Sequence, residues 1–325
     1  MGRADPEISV VVPSRDRPLR LRWLLNALAE QTLAAERFEV IVCHDSRRPE
    51  TDTLLRTHPL GAGGSLRARC LPAGTLSAGA KRNLGWRAAR TPLVAFTDDD
   101  CRPPGDWLAR ALAAARRHPG AIVQGRTRPD PDELQIALRA PHARTQVVDP
   151  PSPWAETCNI VYPRALLERL GGFDERAQSC EDTDLALRAV EAGASLCAAP
   201  ELLTYHAVHD GGLRGRVRSL GRWESVPWAL GRHPSLRREL AAGLFWHESH
   251  GWLLLALGGL ARHPRRRPDA LLLALPWAVR ARPTYGPGAR ALARELLELP
   301  GQAVVDLVEL AVLIRGSIRH GSLVL

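Results

Sequence analysis

Pro92-Leu-Val-Ala-Phe-Thr97 runs straight into Asp98-Asp99-Asp100-Cys101, so a short apolar segment ends on three adjacent carboxylates. A run of this length behind a proline fits a strand covered on both faces, the kind found inside parallel sheets. Neighbouring carboxylates repel one another, and gathering three at a strand end costs free energy unless a cation or strong donors compensate. Asp98 and Asp100 share a side of an extended chain, so both can meet one divalent ion. Helix capping is the competing reading: Asp100 or Asp106 can cap a helix starting near Trp107, and Pro103-Pro104 suits a helix start. Capping needs one carboxylate; three argue for metal.

Outward from this segment the same alternation repeats. Residues 8–12, 38–43, 66–71 and 121–125 read as further strands. Helical stripes fall between them, with Leu21, Leu24, Leu25 and Leu28 behind Pro18, then residues 77–89 and 107–117. Alternation at this spacing predicts an α/β domain with a mostly parallel sheet flanked by helices. Residues 126–154, rich in Pro and polar side chains, read as a long loop. Strands at 157–162, 195–199 and 202–205 and a helix at 182–192 complete the domain, which the pattern assigns to residues 1–210. Residues 211–325 read as an all-α region.

Composition bounds the alternatives. The chain has 325 residues, 45% hydrophobic and 24% charged, which excludes disorder, collagen-like sequence and a disulfide scaffold. The net charge of +9 is confined to residues 211–325, which carry 17 Arg against 8 acids and five of the nine Trp. A basic, Trp-bearing region suggests an anionic surface, lipid headgroups ahead of nucleic acid. The six cysteines show no metal-ligand spacing and read as small buried thiols in a reducing compartment. Nothing at the N-terminus resembles a signal peptide, so the expectation is a cytoplasmic protein.

The strand ends exclude two chemistries. Pro13-Ser14-Arg15-Asp16 follows the first strand without glycine, so neither a dinucleotide fingerprint nor a P-loop is present. A second acidic spot lies at Gly171-Gly-Phe-Asp174-Glu175 and Glu181-Asp182-Thr-Asp184. Ser179 with Asp182 has the form of a capping box, and on this segment alone the cap is favoured. The functional reading makes Glu181 or Asp182 a general base at a helix start, where the helix dipole favours the ionised form.

Ile8-Ser-Val-Val-Val-Pro-Ser-Arg-Asp16, Val40-Ile-Val-Cys-His-Asp45, Ser77-Ala-Gly-Ala-Lys-Arg-Asn83, the Asp98–Asp100 segment and Glu181-Asp182 stand in one order and spacing. Together they resemble the inverting family 2 glycosyltransferases, which have the GT-A fold, over about residues 7–209. The resemblance implies nucleoside contacts at Pro13, Asp16 and Asp45, with Asp45 meeting the base. It places Lys81, Arg82 and Asn83 near the nucleotide. Asp98, Asp99 and Asp100 then form the acidic motif on the sugar diphosphate, Asp98 and Asp100 holding Mg2+ or Mn2+. Asp182 matches the general base beside Glu181, and His206 a further metal or phosphate contact, although a lone His beside a strand is more often structural. UDP is the default donor nucleotide, with GDP or dTDP as alternatives, because His44 replaces a common aspartate. A sugar nucleotidyltransferase and an inactive basic surface-binding module are the competing functions; the first lacks its glycine-rich loop, and against the second every carboxylate the reaction needs is present.

Polymerising members carry Q-x-x-R-W after the base, and here Ser219-Leu-Gly-Arg222-Trp223 keeps only Arg-Trp, so single-sugar transfer is expected. Arg222 has two readings, a diphosphate contact and a solvated helix face. Apolar runs at 252–260 and 270–279 are too short to cross a bilayer, which takes roughly 20 residues. With Trp246, Trp252 and Trp277 at their flanks and Arg262, Arg265, Arg266 and Arg267 between, they suit helices lying in a headgroup layer, where a lipid-linked hydroxyl acceptor is one expected partner. Packing on the sheet domain explains the same pattern equally well. His247 and His250 fall one residue short of zinc-protease spacing and are expected to line a boundary beside Trp246. A break near Pro300-Gly301 is expected in the last helical stretch.

Overall fold

The computed structural model describes residues 6–47, 49–62, 64–70, 76–262 and 267–325. They divide into two compact units: one runs to Leu134 and resumes over Thr145–Val208, the other comprises Gln135–Arg144 and His209–Leu325.

The first unit is built on one sheet of eight described strands. They are β1 Ile8–Ser14, β2 Phe38–His44, β3 Leu66–Cys70, β4 Leu93–Thr97, β5 Cys101–Arg102, β6 Ile122–Pro129, β7 Asn159–Pro163 and β8 Leu196–His206. Their order across the sheet is β3-β2-β1-β4-β7-β6-β8-β5. β1 pairs in parallel with β2 and β4, as do β2 with β3 and β6 with β8. β7 runs antiparallel to β4 and β6, and β5 antiparallel to β8. Every residue of β1 and β2 is buried, which is why both read as continuous rather than alternating apolar runs.

Helices cover both faces. Leu21, Leu24, Leu25 and Leu28 of helix Pro18–Ala29 and Trp107, Leu108 and Leu112 of helix Trp107–Arg117 pack with Val10 and Val12. Val11, Phe96 and Tyr162 face the other way, against Trp86 and Leu185. Chain order reverses at β1, whose neighbours β2 and β4 lead to opposite edges. A crevice opens beyond the carboxyl ends of strands at such a point.

Several local expectations are corrected. The two strands expected at 195–199 and 202–205 are one, with a register shift between Gly125 and Arg126 of β6 that absorbs Pro200, a residue without a ladder N–H. Residues 98–101 form a turn rather than an extended run, because the Cys101 N–H donates to the Asp98 carbonyl at 3.0 Å. The long loop expected at 126–154 contains helix Leu134–Arg139. Asp106 is the N-cap residue of helix Trp107–Arg117, but its carboxylate accepts from Arg110 instead of capping.

The second unit is helical. Helices Glu248–Arg262 and Arg267–Ala281 are longer than the apolar runs that marked them, and helix Ala289–His320 passes through Pro300 unbroken. Losing one helical hydrogen bond at Pro300 costs about 3 kcal/mol, and burial on both sides of it, from Glu295 and Glu298 to Val305, Leu310 and Leu313, outweighs that. Arg265 and Arg266 lie outside the described residues. No described helix is long and apolar enough to cross a membrane.

Candidate functional site

The acidic turn after β4 is shared out among three environments. Asp99 is buried and accepts from the Ser14 hydroxyl at 2.7 Å and from Arg17 at 3.2 Å. Burial and the neighbouring Asp100 push its carboxyl up to about 7, against the pull of Arg17. Asp100 takes 2.6 Å from Arg17, and its other oxygen lies 3.5 Å from His206 Nε2. That meeting follows from the sheet, since Cys101 pairs with His206 across β5 and β8. Asp98 is the most exposed of the three and accepts from Arg82 at 2.7 Å.

Helix Ala78–Ala88 carries the basic side of the crevice. Ser77 caps it, accepting from the Ala80 N–H. Arg82 is buried and forks, one arm on Asp98 and the other on Glu181, each at 2.7 Å. Burial alone would lower its pKa, but Asp98, Glu181 and Asp182 outweigh it and hold the guanidinium charged. Its neighbour in the chain, Lys81, donates to Asp45 at 2.6 Å and to the Ser14 carbonyl at 3.2 Å. Burial would raise the Asp45 carboxyl, yet Lys81 keeps it below the usual range. Among the described residues Asp45 Oδ2 is buried with no well-formed hydrogen bond, which leaves an acceptor for a ligand N–H.

Glu181 and Asp182 open helix Glu181–Glu191. The expected capping box is not formed: Cys180 is the N-cap residue, in the left-handed region at φ 62°, and no side chain caps the helix. Asp182 instead accepts from the Thr183 N–H at 2.9 Å. Burial first, and then Glu181, pushes its carboxyl up to about 8, with Arg82 pulling the other way.

The remaining expected residues divide. Asp16 has φ 53°, a conformation that non-glycine residues hold mainly where surroundings impose it. Its N–H donates to Ser46 Oγ and its carboxylate accepts from the Arg47 N–H, joining the ends of β1 and β2. Pro13 sits in β1 opposite Cys43. Asn83 is committed to the fold: its amide donates to the Phe173 carbonyl and Glu175 and accepts from Trp86 and the Phe173 N–H. A Cβ on Gly172, at φ 78°, would lie 2.3 Å from Asn83 Oδ1, so only glycine lets this loop approach. Arg222 belongs to the second unit, its guanidinium over the Trp223 ring at 4.5 Å.

Ser14 and Arg17 join the acidic turn without having been singled out from the sequence. Their signal was available: a hydroxyl ends β1 and a basic residue follows it, and β1 is one of the two strands beside β4. Asp100 and His206 bring a carboxylate oxygen and an imidazole nitrogen to 3.5 Å of each other, donors that suit Mg2+ or Mn2+; Asp98, held by Arg82, lies outside that group of ligand atoms and would have to turn to join it.

Comparison with known proteins adds to this geometry. The model of the family described as "Glycosyl transferase family 2" matches residues 9–171. Validoxylamine A glucosyltransferase of Streptomyces hygroscopicus subsp. jinggangensis is 28% identical, over 74% of this chain and 63% of its own length. Pre-mycofactocin glycosyltransferase of Mycobacterium tuberculosis is 29% identical, over 80% of this chain and 55% of its own. The chain thus spans under two thirds of either relative. Among solved structures, a mannosyltransferase from Pyrobaculum calidifontis in complex with GDP-Man and Mn2+ superposes with TM-score 0.59 at 20% identity, covering 98% of this chain and 87% of that one. S. aureus TarS 1-349 in complex with UDP-GlcNAc gives TM-score 0.53 at 18% identity, covering 97% and 92%. Likeness at these identities speaks for the shared fold, GT-A.

Proposed function

Because the chain belongs to glycosyl transferase family 2, we propose that it moves one sugar from a nucleoside-diphosphate donor to an acceptor hydroxyl, with inversion, with a divalent cation and without processivity. One observation carries the reading. The buried Arg82 guanidinium spans Asp98 and Glu181, so the donor end and the base end of the reaction lie one guanidinium apart.

In this reading Asp45, held by Lys81 through Oδ1, accepts from an N–H of the donor base on its remaining oxygen, Oδ2. A uracil N–H fits that single acceptor, which keeps UDP as the default. Asp98, Asp100 and His206 would hold Mg2+ or Mn2+, whose charge would neutralise the diphosphate. Arg82 adds fixed positive charge where the leaving group gains negative charge, inside a site that excludes bulk water. Asp182 takes the proton of the acceptor hydroxyl, and the oxygen attacks the anomeric carbon opposite the leaving group. Glu181 stays on Arg82 and positions the start of the helix.

We also place the acceptor at a lipid surface. Leu272, Leu275 and Val279 recur on one face of helix Arg267–Ala281 and stand exposed. Trp277 does not join them: it is buried and donates to Asp306 at 2.9 Å, so the expected headgroup role passes to the leucines.

The deciding experiment is a thermal-shift panel of UDP, GDP and dTDP with and without Mn2+, followed by NMR assignment of the product anomer. A Mn2+-dependent shift that Asp98→Ala and Asp100→Ala abolish, with an inverted product, is expected. A chain stabilised by no nucleotide, or one that keeps the donor's anomeric configuration, overturns the proposal.

A further inference from the structure

The second unit holds an ionisable cluster that the transfer reaction leaves unused. His247 and His250 stand at the start of helix Glu248–Arg262, and Asp306 and Glu309 stand three residues apart on helix Ala289–His320. His250, Asp306 and Glu309 are each 1% exposed or less, and their ligating atoms lie within 4.8 Å of one another. Glu309 Oε2 is 3.5 Å from His247 Nε2 and 3.4 Å from His250 Nε2.

Those separations suit something other than direct bonding. Among the described residues, His250 Nδ1 and Glu309 Oε1 are buried without a hydrogen-bond partner, and His250 Nε2 has only the long approach to Glu309; leaving such groups poorly satisfied is costly. A tetrahedral ion with ligand bonds of 2.0–2.1 Å sets its ligand atoms about 3.3–3.4 Å apart, close to both measured distances. The surroundings also have the form of an outer shell. Asp306 accepts from Trp277 Nε1 at 2.9 Å and from Gln302 at 2.7 Å, which fixes its carboxylate and still leaves lone pairs for a cation.

We propose that His247, His250, Glu309 and Asp306 form a structural site for a zinc-like divalent ion, one that ties the start of helix Glu248–Arg262 to the middle of helix Ala289–His320. Two imidazoles among four ligands select zinc over Mg2+ or Mn2+, whose preferred donors are oxygen. The site is independent of the donor reading. It involves no residue of the acidic turn, and it stands or falls separately.

The test uses the full chain, stripped with chelator and held in excess Mg2+ so that oxygen-rich sites are masked. One equivalent of Zn2+ surviving gel filtration, a rise in Tm on adding it, and the visible band of tetrahedral Co2+ on substitution are expected. Trp277→Phe, which removes the donor to Asp306 and keeps an aromatic ring in the cluster with Leu253 and Leu310, should weaken binding by about 10–100-fold. His250→Gln should abolish retention. Should that variant not fold, His247→Ala decides, because its ring is exposed; a loss of at least tenfold in affinity is expected. No retained zinc, or unchanged affinity in His247→Ala, overturns the site.

Discussion

A carboxylate that removes a proton from a hydroxyl works best when its pKa lies near the operating pH. Asp182 is lifted to about 8 by burial and by Glu181, so it is protonated, and idle as a base, over the lower physiological range. The predicted kcat/KM therefore falls as pH drops below about 8, approaching about tenfold per unit; a flat profile would remove Asp182 from the role. Asp182→Asn should bind donor normally and lose roughly 10²–10⁴-fold in turnover. Lys81 and Asp45 make a different demand, because both are buried and their charges are paired. Lys81→Met leaves an unpaired buried carboxylate and should cost about 3–5 kcal/mol in urea unfolding. Adding Asp45→Asn should recover part of that loss, and strict additivity would deny the pairing. Since Lys81 depresses the Asp45 carboxyl, its contribution to stability is present above the ordinary carboxylate range and disappears as pH falls through the folded value.

Elements transmit these demands through packing. Helix Ala78–Ala88, which carries Lys81 and Arg82, lies so close to β1 that a Cβ on Gly85 would sit 2.3 Å from Val11 Cγ1. Gly85→Ala should cost about 1–3 kcal/mol by overpacking, read as a lower urea midpoint, and should displace Arg82 enough to weaken donor binding. An unchanged midpoint would contradict the contact. Apolar runs made β1, β2 and β4 legible, because strands covered on both faces need continuous hydrophobic residues. β5 was not legible, since two residues carry no period. The helices Pro49–Thr57 and Arg164–Leu170 also escaped notice, each too short for a stripe to stand out from its loop. At the candidate site, residue types and strand ends pointed to Asp98, Asp100 and Asp182 separately. The bridge through Arg82 belongs to tertiary structure, which spacing along the chain does not encode. The Ser179 cap misled because a cap and a catalytic carboxylate at a helix start share one sequence pattern.

For the whole molecule the sequence separated a neutral half from a basic one, but the periodicity of residues 270–279 could not say which side chains faced outward. The exposed Leu272, Leu275 and Val279 turn that question into a measurement. The full chain should co-sediment with anionic vesicles, less at high salt, and poorly with zwitterionic ones. Each leucine that enters the acyl layer contributes about 1.5–3 kcal/mol, so Leu272→Glu with Leu275→Glu should release the protein. Retention in the supernatant with anionic vesicles would end the membrane proposal.

β5 has only two residues, and its pairing is with β8, far later in the chain. During synthesis the three aspartates therefore emerge from the ribosome long before the strand that keeps Asp100 in register. A nascent or clipped chain that lacks β8 leaves the acidic turn without its β5 anchor and β6 as an open sheet edge, the kind of surface that aggregates or meets quality-control proteases. Serial truncation should show a threshold at β8 instead of a gradual decline.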